Sequence, residues 1–178
     1  MSKTMQKIRV FFLTAGGLGF APIASGTFGS LPPVVIAFVL AMLGQPLWLI
    51  SLVMVLLLVV YSLACVRFGD EAEQLFGKKD PGQVVADEVA GQSVALLWLP
   101  WASPGDPGAF WQNLILAIGA FLAFRFFDIL KPPPASNLES LKGGWGILVD
   151  DLVTGLMALV VVQIVARGFL FWGALPGG

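Results

Sequence analysis

Five carboxylates dominate the chemistry available to this sequence: the pair Asp87 and Glu88, then Asp128, then the pair Asp150 and Asp151. Each lies where an apolar run begins or ends, so all are expected near one depth of a helical bundle. Converging carboxylate oxygens without nitrogen or sulfur donors describe a hard-cation site. Mg2+ in particular is held by one or two carboxylates together with waters and a substrate phosphate. Arg125 and Lys131 flank Asp128 at a spacing of three residues, where they could pair with it, snorkel to lipid headgroups or hold a phosphate. Acids and cations so combined suit phosphoryl chemistry, in which positioning and charge neutralisation supply most of the catalysis.

Simpler readings compete for each residue. Asp87, Glu88, Asp150 and Asp151 are expected to open helices, where the macrodipole alone stabilises an acid by about 0.3–1 kcal/mol. Asp128 is expected near the negative end of its helix, where that account fails. Neighbouring acids point about 100° apart on a helix, so one member of each pair is expected to stand behind the other. Asp70, Glu71 and Glu73, in a less distinctive polar stretch, are expected to face solvent.

Absent residues narrow the field further. The chain has no histidine and one cysteine, Cys65, which removes Ser-His-Asp and Cys-His catalysis, histidine-ligated metals and an intramolecular disulfide. No G-x-x-x-x-G-K-[ST] run exists, so a P-loop NTPase is out. Lysines and arginines form no stripe interleaved with aromatics, and nucleic acid drops out as a partner.

The elements that must position these residues are membrane helices. Of 178 residues, 57% are hydrophobic and 12% charged, against roughly 25% charged in a soluble domain. That composition predicts an all-α integral membrane protein, a single domain over residues 1–178. Residues 10–66 carry no charge, and Gly44-Gln45-Pro46 divides their apolar part into a short helix near 31–43 and a longer one near 47–66. Ser30 is the expected N-cap of the short helix, with Pro32 in its first turn. Further spans are expected at 84–101, 109–130 and 146–171, making four to five transmembrane helices, one of them short. Glycines and a proline punctuate 14–30 too densely for a regular span, which predicts an interfacial or re-entrant N-terminal segment. Alternate threading puts every Lys and Arg except Arg167, and every acid except Asp106, on the N-terminal side. The positive-inside rule makes that side cytoplasmic.

Four stretches, residues 19–31 (GFAPIASGTFGSL), 79–92 (KDPGQVVADEVAGQ), 124–134 (FRFFDILKPPP) and 142–155 (KGGWGILVDDLVTG), resemble the phosphatidylglycerophosphatase A family in order and spacing across nearly the whole chain. The resemblance implies a Mg2+-dependent enzyme of the bacterial cytoplasmic (inner) membrane, its active site facing the cytoplasm. Its reaction would be hydrolysis of phosphatidylglycerophosphate to phosphatidylglycerol and phosphate. It also implies a metal and catalytic set of Asp80, Asp87, Glu88, Asp128, Asp150 and Asp151, with Thr27, Ser30, Lys79, Arg125, Lys131 and Lys142 meeting the substrate. Gly26 and Gly29 are expected to serve backbone shape. A transporter or channel for protons or divalent cations is the alternative, and it predicts acids near the midplane and a repeated pair of broken helices. Self-association into a homo-oligomer stays open.

Overall fold

A computed structural model describes residues 3–78, 81–138 and 143–173, and among these every regular element is helical. In chain order they are α1 (Lys3–Leu13), a 3-10 turn (Leu18–Phe20), α2 (Ser25–Met42), α3 (Leu47–Phe76), α4 (Ala86–Ala95), α5 (Ala109–Leu130), α6 (Ala135–Leu138) and α7 (Gly144–Gly173). Four of them, α2, α3, α5 and α7, are long and apolar enough to cross a membrane. A helix satisfies its own backbone, so an apolar run in lipid has little other choice.

Polarity is arranged as a bilayer requires. Leu56, Leu63, Ile115, Leu122 and Ile164 point outward, more than half exposed, while the interior between α2, α3 and α5 is lined by small residues, Ala37, Ala41, Ala117 and Ala120 among them. In lipid there is little hydrophobic gain from helix association, and small side chains let backbones approach for van der Waals contact. At 30 residues each, α3 and α7 reach about 45 Å, beyond the ~30 Å hydrocarbon core. The charged end of α3, carrying Arg67, Asp70, Glu71 and Glu73, therefore projects past the bilayer. Against that projection lies α1: Arg9 pairs with Glu71 and stacks 5.0 Å over the Phe68 ring, and Leu13 is buried with Ala72, Val84 and Ile147. The N-terminal helix thus packs along the charged end of α3.

Two boundaries differ from expectation. Helix α2 begins at Ser25, not near Leu31, and Pro32 and Pro33 lie inside it. Ser30 is therefore no N-cap; its hydroxyl donates to the Gly26 carbonyl at 2.8 Å. The helix starts early because its first two turns pack glycine against α4: a Cβ on Gly29 would strike Val85, and one on Gly26 would strike Glu88. Tertiary contact outweighs the preference of proline for a first turn, and a buried membrane helix tolerates the two missing N–H donors.

The second difference concerns residues 84–101, expected as a full span. Only the ten residues of α4 are helical. Beyond them the chain continues as turns through Trp98, at φ +54°, to the far end of the bundle. Irregular backbone at that depth is stable only where protein covers it, and here it does. The Trp98 N–H donates to Ser51 Oγ of α3 (3.2 Å), Gln163 Nε2 of α7 donates to the carbonyls of Leu97 and Trp98 (3.0 and 2.9 Å), and Arg167 Nη2 donates to the Trp98 carbonyl (3.2 Å). Arg167, the cation set apart by the threading, closes the open end of a broken crossing.

In a Cys65→Ala background, cysteines placed at Lys78 and at Gly105 should react with an impermeant maleimide from opposite faces of membrane vesicles. Labelling of both from one face would overturn this arrangement of crossings.

Candidate active site

The site forms where the first turn of α4 meets α7. Helices α4 and α7 touch through glycine: a Cβ on Gly91 would collide with the Asp151 carbonyl and the Phe124 ring, and one on Gly155 would collide with the Gly91 carbonyl. With no side chain between the two backbones, the carboxylates just above the contact are pressed together. Asp87, Glu88 and Asp151 each place an oxygen within 4.8 Å of the others. Asp128, on the last turn of α5, reaches Asp151 closely enough for a side-chain hydrogen bond and acts electrostatically on Glu88. Asp87 and Asp151 are 7% and 3% exposed.

Two cations pair with acids beside the cluster. Arg125 Nη1 pairs with Asp128 at 2.6 Å, one turn away on α5, and stands 3.5 Å from Ser30 Oγ. Lys131 pairs across helices with Asp150 at 2.6 Å. A left-handed backbone at Lys131 (φ +43°) ends α5 and turns this side chain toward α7. The first turn of α2 closes the site from the side, its Gly26 backbone lying directly on Glu88 Oε1 and the Arg125 guanidinium.

Three carboxylates this close repel one another unless a cation or protons lie between them. Asp87 Oδ1, Glu88 Oε2 and Asp151 Oδ2 are buried without a hydrogen-bond partner among the described residues, so each has a lone pair to give. Hard oxygen donors with unused capacity fit a divalent ion such as Mg2+.

Of the residues expected in the site, Asp87, Glu88, Asp128 and Asp151 converge, with Arg125 and Ser30 beside them. Asp150 turns instead to Lys131. Thr27 is half-buried in the first turn of α2, next to Gly26. Lys79, Asp80 and Lys142 lie outside the described residues. Helix α7 begins at Gly144, so Asp150 and Asp151 fall in its second turn or beyond, past the reach of the helix-end dipole. The dipole thus accounts for Asp87 and Glu88 alone, which do occupy the first turn of α4. Asp70, expected to face solvent only, is a structural residue. Its Oδ1 accepts the backbone N–H of Gly144 at 3.1 Å, capping the helix that carries Asp151. The signal available for this was the Gly143-Gly144 pair, which marks a close approach, though not its partner.

Fold and site together define a polytopic helical membrane protein with a carboxylate cluster at one end of its bundle. The sequence model of the phosphatidylglycerophosphatase A family matches residues 11–166, and the chain belongs to that family of phosphatases. It is 34% identical to the phosphatidylglycerophosphatase A of Haemophilus influenzae, over 90% of this chain and 91% of that one. To the Escherichia coli protein of the same name it is 29% identical, over 85% and 79%. A Bacteroides thetaiotaomicron protein provisionally named a phosphatidylinositol-3-phosphatase is 32% identical, over 85% and 89%. No solved structure matches the chain.

The glycine at 26 offers a direct check on the geometry. Gly26→Ala should leave the helical content unchanged while the added methyl displaces Glu88 and Arg125, lowering phosphatase activity by roughly 10²-fold, the cost of about 1 Å of misplacement. Wild-type activity in that variant would mean that the α2 backbone does not bound the site.

Proposed function

We propose that this chain hydrolyses the terminal phosphomonoester of phosphatidylglycerophosphate, giving phosphatidylglycerol and inorganic phosphate, in a Mg2+-dependent reaction on the cytoplasmic side of a bacterial inner membrane. The observation that carries the reading is the trio Asp87, Glu88 and Asp151, each with a buried, unpartnered oxygen, beside Arg125, in a chain of the phosphatidylglycerophosphatase A family. Threading the sequence through alternate crossings puts nearly all lysines and arginines on one side, which supports the orientation. A proton or cation transporter is disfavoured: the acids lie at one end of the bundle, and α4 is the one broken crossing among the described residues.

Asp87, Glu88 and Asp151 would hold the ion. When bound, Mg2+ neutralises phosphate charge and makes a coordinated water more acidic. Arg125, steered by Asp128, turns its guanidinium toward the trio and is placed to bind phosphate oxygens as charge builds on them. Lys131, on its Asp150 tether, stands at the rim, where a lipid headgroup arrives. The burial of the trio's unpartnered oxygens keeps bulk water from diluting these interactions. Water is the nucleophile in this reading: its oxygen bonds to phosphorus as the bond from phosphorus to the glycerol oxygen breaks. A carboxylate of the cluster accepts the water's proton, and the leaving alkoxide takes up a proton to become the lipid's hydroxyl. The acyl chains remain in the bilayer throughout.

Purified protein should release phosphate from phosphatidylglycerophosphate with Mg2+ and stop when EDTA is added. Asp128→Asn and Arg125→Gln should each lower kcat on the order of 10²–10³-fold with the fold intact. Full activity in Asp128→Asn, or in EDTA, would overturn the mechanism. Phosphatidylinositol 3-phosphate in a parallel assay tests the headgroup: faster turnover of that lipid would replace the proposed substrate. A trapped phosphoenzyme would replace water with a side-chain nucleophile.

A further inference from the structure

The space between α1 and the turn that follows it has no part in the hydrolysis described above. Ala15, Gly16 and Gly17 all take left-handed backbone (φ +46°, +73° and +101°) and fold the chain back beside α1. Thr14 fixes the reversal: its Oγ1 donates to the Val10 carbonyl (2.8 Å) and accepts the Gly17 N–H (3.1 Å). Between the two arms lies a cleft of about 490 Å3, lined by Val10, Phe11 and Phe20 with the exposed Lys7. A volume of that order takes a small-molecule ligand.

The depth of the cleft follows from what α1 touches. Phe12 packs edge-on against Tyr61, inside the charge-free run, with ring centroids 6.4 Å apart. Three residues earlier, Arg9 reaches Glu71 on the projecting end of α3. Helix α1 therefore runs alongside α3 from the edge of the hydrocarbon outward, which puts Phe11 near acyl chains and Lys7, one turn further out, level with headgroups. On the other wall, Phe20 and Ile23 are more than half exposed just before the chain enters the membrane at Ser25. Charge favours one kind of headgroup. Lys3, Lys7 and Arg9 are the only charged residues of α1, and the first acid in the chain is Asp70. Arg9 is turned back to Glu71, so Lys7 is the cation that faces the cleft. The same arms also touch the start of α4. The Leu13 carbonyl accepts the Val85 N–H at 2.9 Å, Leu13 is buried with Val84, and the Gly19 backbone lies on the Gln83 carbonyl. Those three residues lead into the turn that carries Asp87 and Glu88.

We propose that this cleft binds an anionic phospholipid of the surrounding leaflet, apart from the substrate, and that its occupancy steadies the start of α4. Lys7 meets the lipid phosphate as a point charge, and Phe11 and Phe20 flank the upper acyl chain. One basic residue near a membrane surface favours an anionic lipid about fivefold. The effect on activity rests on the phosphatase reading given above; the binding does not.

The test uses the full chain with Cys65→Ala and Ile8→Cys, a fluorophore on the new cysteine beside Lys7, in phosphatidylcholine nanodiscs. Phosphatidylserine or phosphatidylcholine bearing a nitroxide high on the acyl chain is added in small amounts, and the ratio of their quenching gives the relative affinity. Phosphatidylserine should be preferred about fivefold, and Lys7→Gln should bring the ratio close to one. Parity in the parent protein, or a preference that survives Lys7→Gln, would remove the site. Neither substrate nor Mg2+ enters this measurement, so its failure leaves the hydrolysis reading standing. In unlabelled discs, phosphatidylserine, which has no terminal phosphate to lose, should raise kcat for phosphatidylglycerophosphate in the wild type and leave it unchanged in Lys7→Gln. The two proteins should be equal in phosphatidylcholine alone. A wild-type kcat indifferent to phosphatidylserine would sever the cleft from α4. No phosphate release in any disc would count against the hydrolysis reading and the coupling together, with the lipid site judged by quenching.

Discussion

The close approach of α4 and α7 is the constraint on which the rest of the molecule turns. Gly91 and Gly155 let the two backbones meet with no side chain between them, and the carboxylates follow from that meeting. Asp87 and Glu88 are carried by one helix and Asp151 by the other, so the separation of the helices sets the separation of the acids. A bulkier contact would relieve their repulsion by moving them apart. Dispersion across a close glycine contact, which is what drives helix association in lipid, here works against the mutual repulsion of buried charges.

Around that contact the fold supplies supports of different kinds. Asp70, reaching from the projecting end of α3, caps α7 two turns before Asp151. Gly26 presses α2 against Glu88 and Arg125. Arg125 pairs with Asp128 and Lys131 with Asp150, and one oxygen on each of the trio is left without a partner among the described residues. At the far end, Ser51, Gln163 and Arg167 satisfy the backbone where α4 stops. A ten-residue helix is too short to be stable on its own; α4 stands because four longer helices surround it and their side chains finish its hydrogen bonds.

Much of this was legible in the residues, and the failures have a common cause. Long charge-free runs announce membrane helices, because lipid offers a backbone no other partner, and α3, α5 and α7 lie close to where those runs place them. The acids at the run ends announce a site for the same reason: charge is costly there and needs an explanation, most clearly at Asp128. What could not be read were choices decided by distant contacts. Pro32 argues locally for a helix start, yet Gly26 and Gly29 pack on α4 and pull the start forward to Ser25. Residues 84–101 look like one continuous apolar span, and the break after Ala95 depends on donors from α3 and α7 that sequence spacing does not reveal. The pairing of Lys131 with Asp150 follows from a left-handed turn at the end of α5, where helical spacing pointed to Asp128. Lys79, Asp80 and Lys142 fall outside the described residues, and their expected roles stand as read from the sequence.

The open end of α4 also bears on the order in which the molecule is made. Its carbonyls at Leu97 and Trp98 are covered by Gln163 and Arg167, which leave the ribosome some 65 residues later. Until then the broken segment has exposed acceptors that hydrocarbon would not tolerate, and it must wait at the membrane surface or in the company of the insertion machinery. Asp151 arrives on that same last helix. Assembly of the reactive end of the protein is thereby tied to completion of the polypeptide, and a truncated product would carry its acids without the geometry that gives them use.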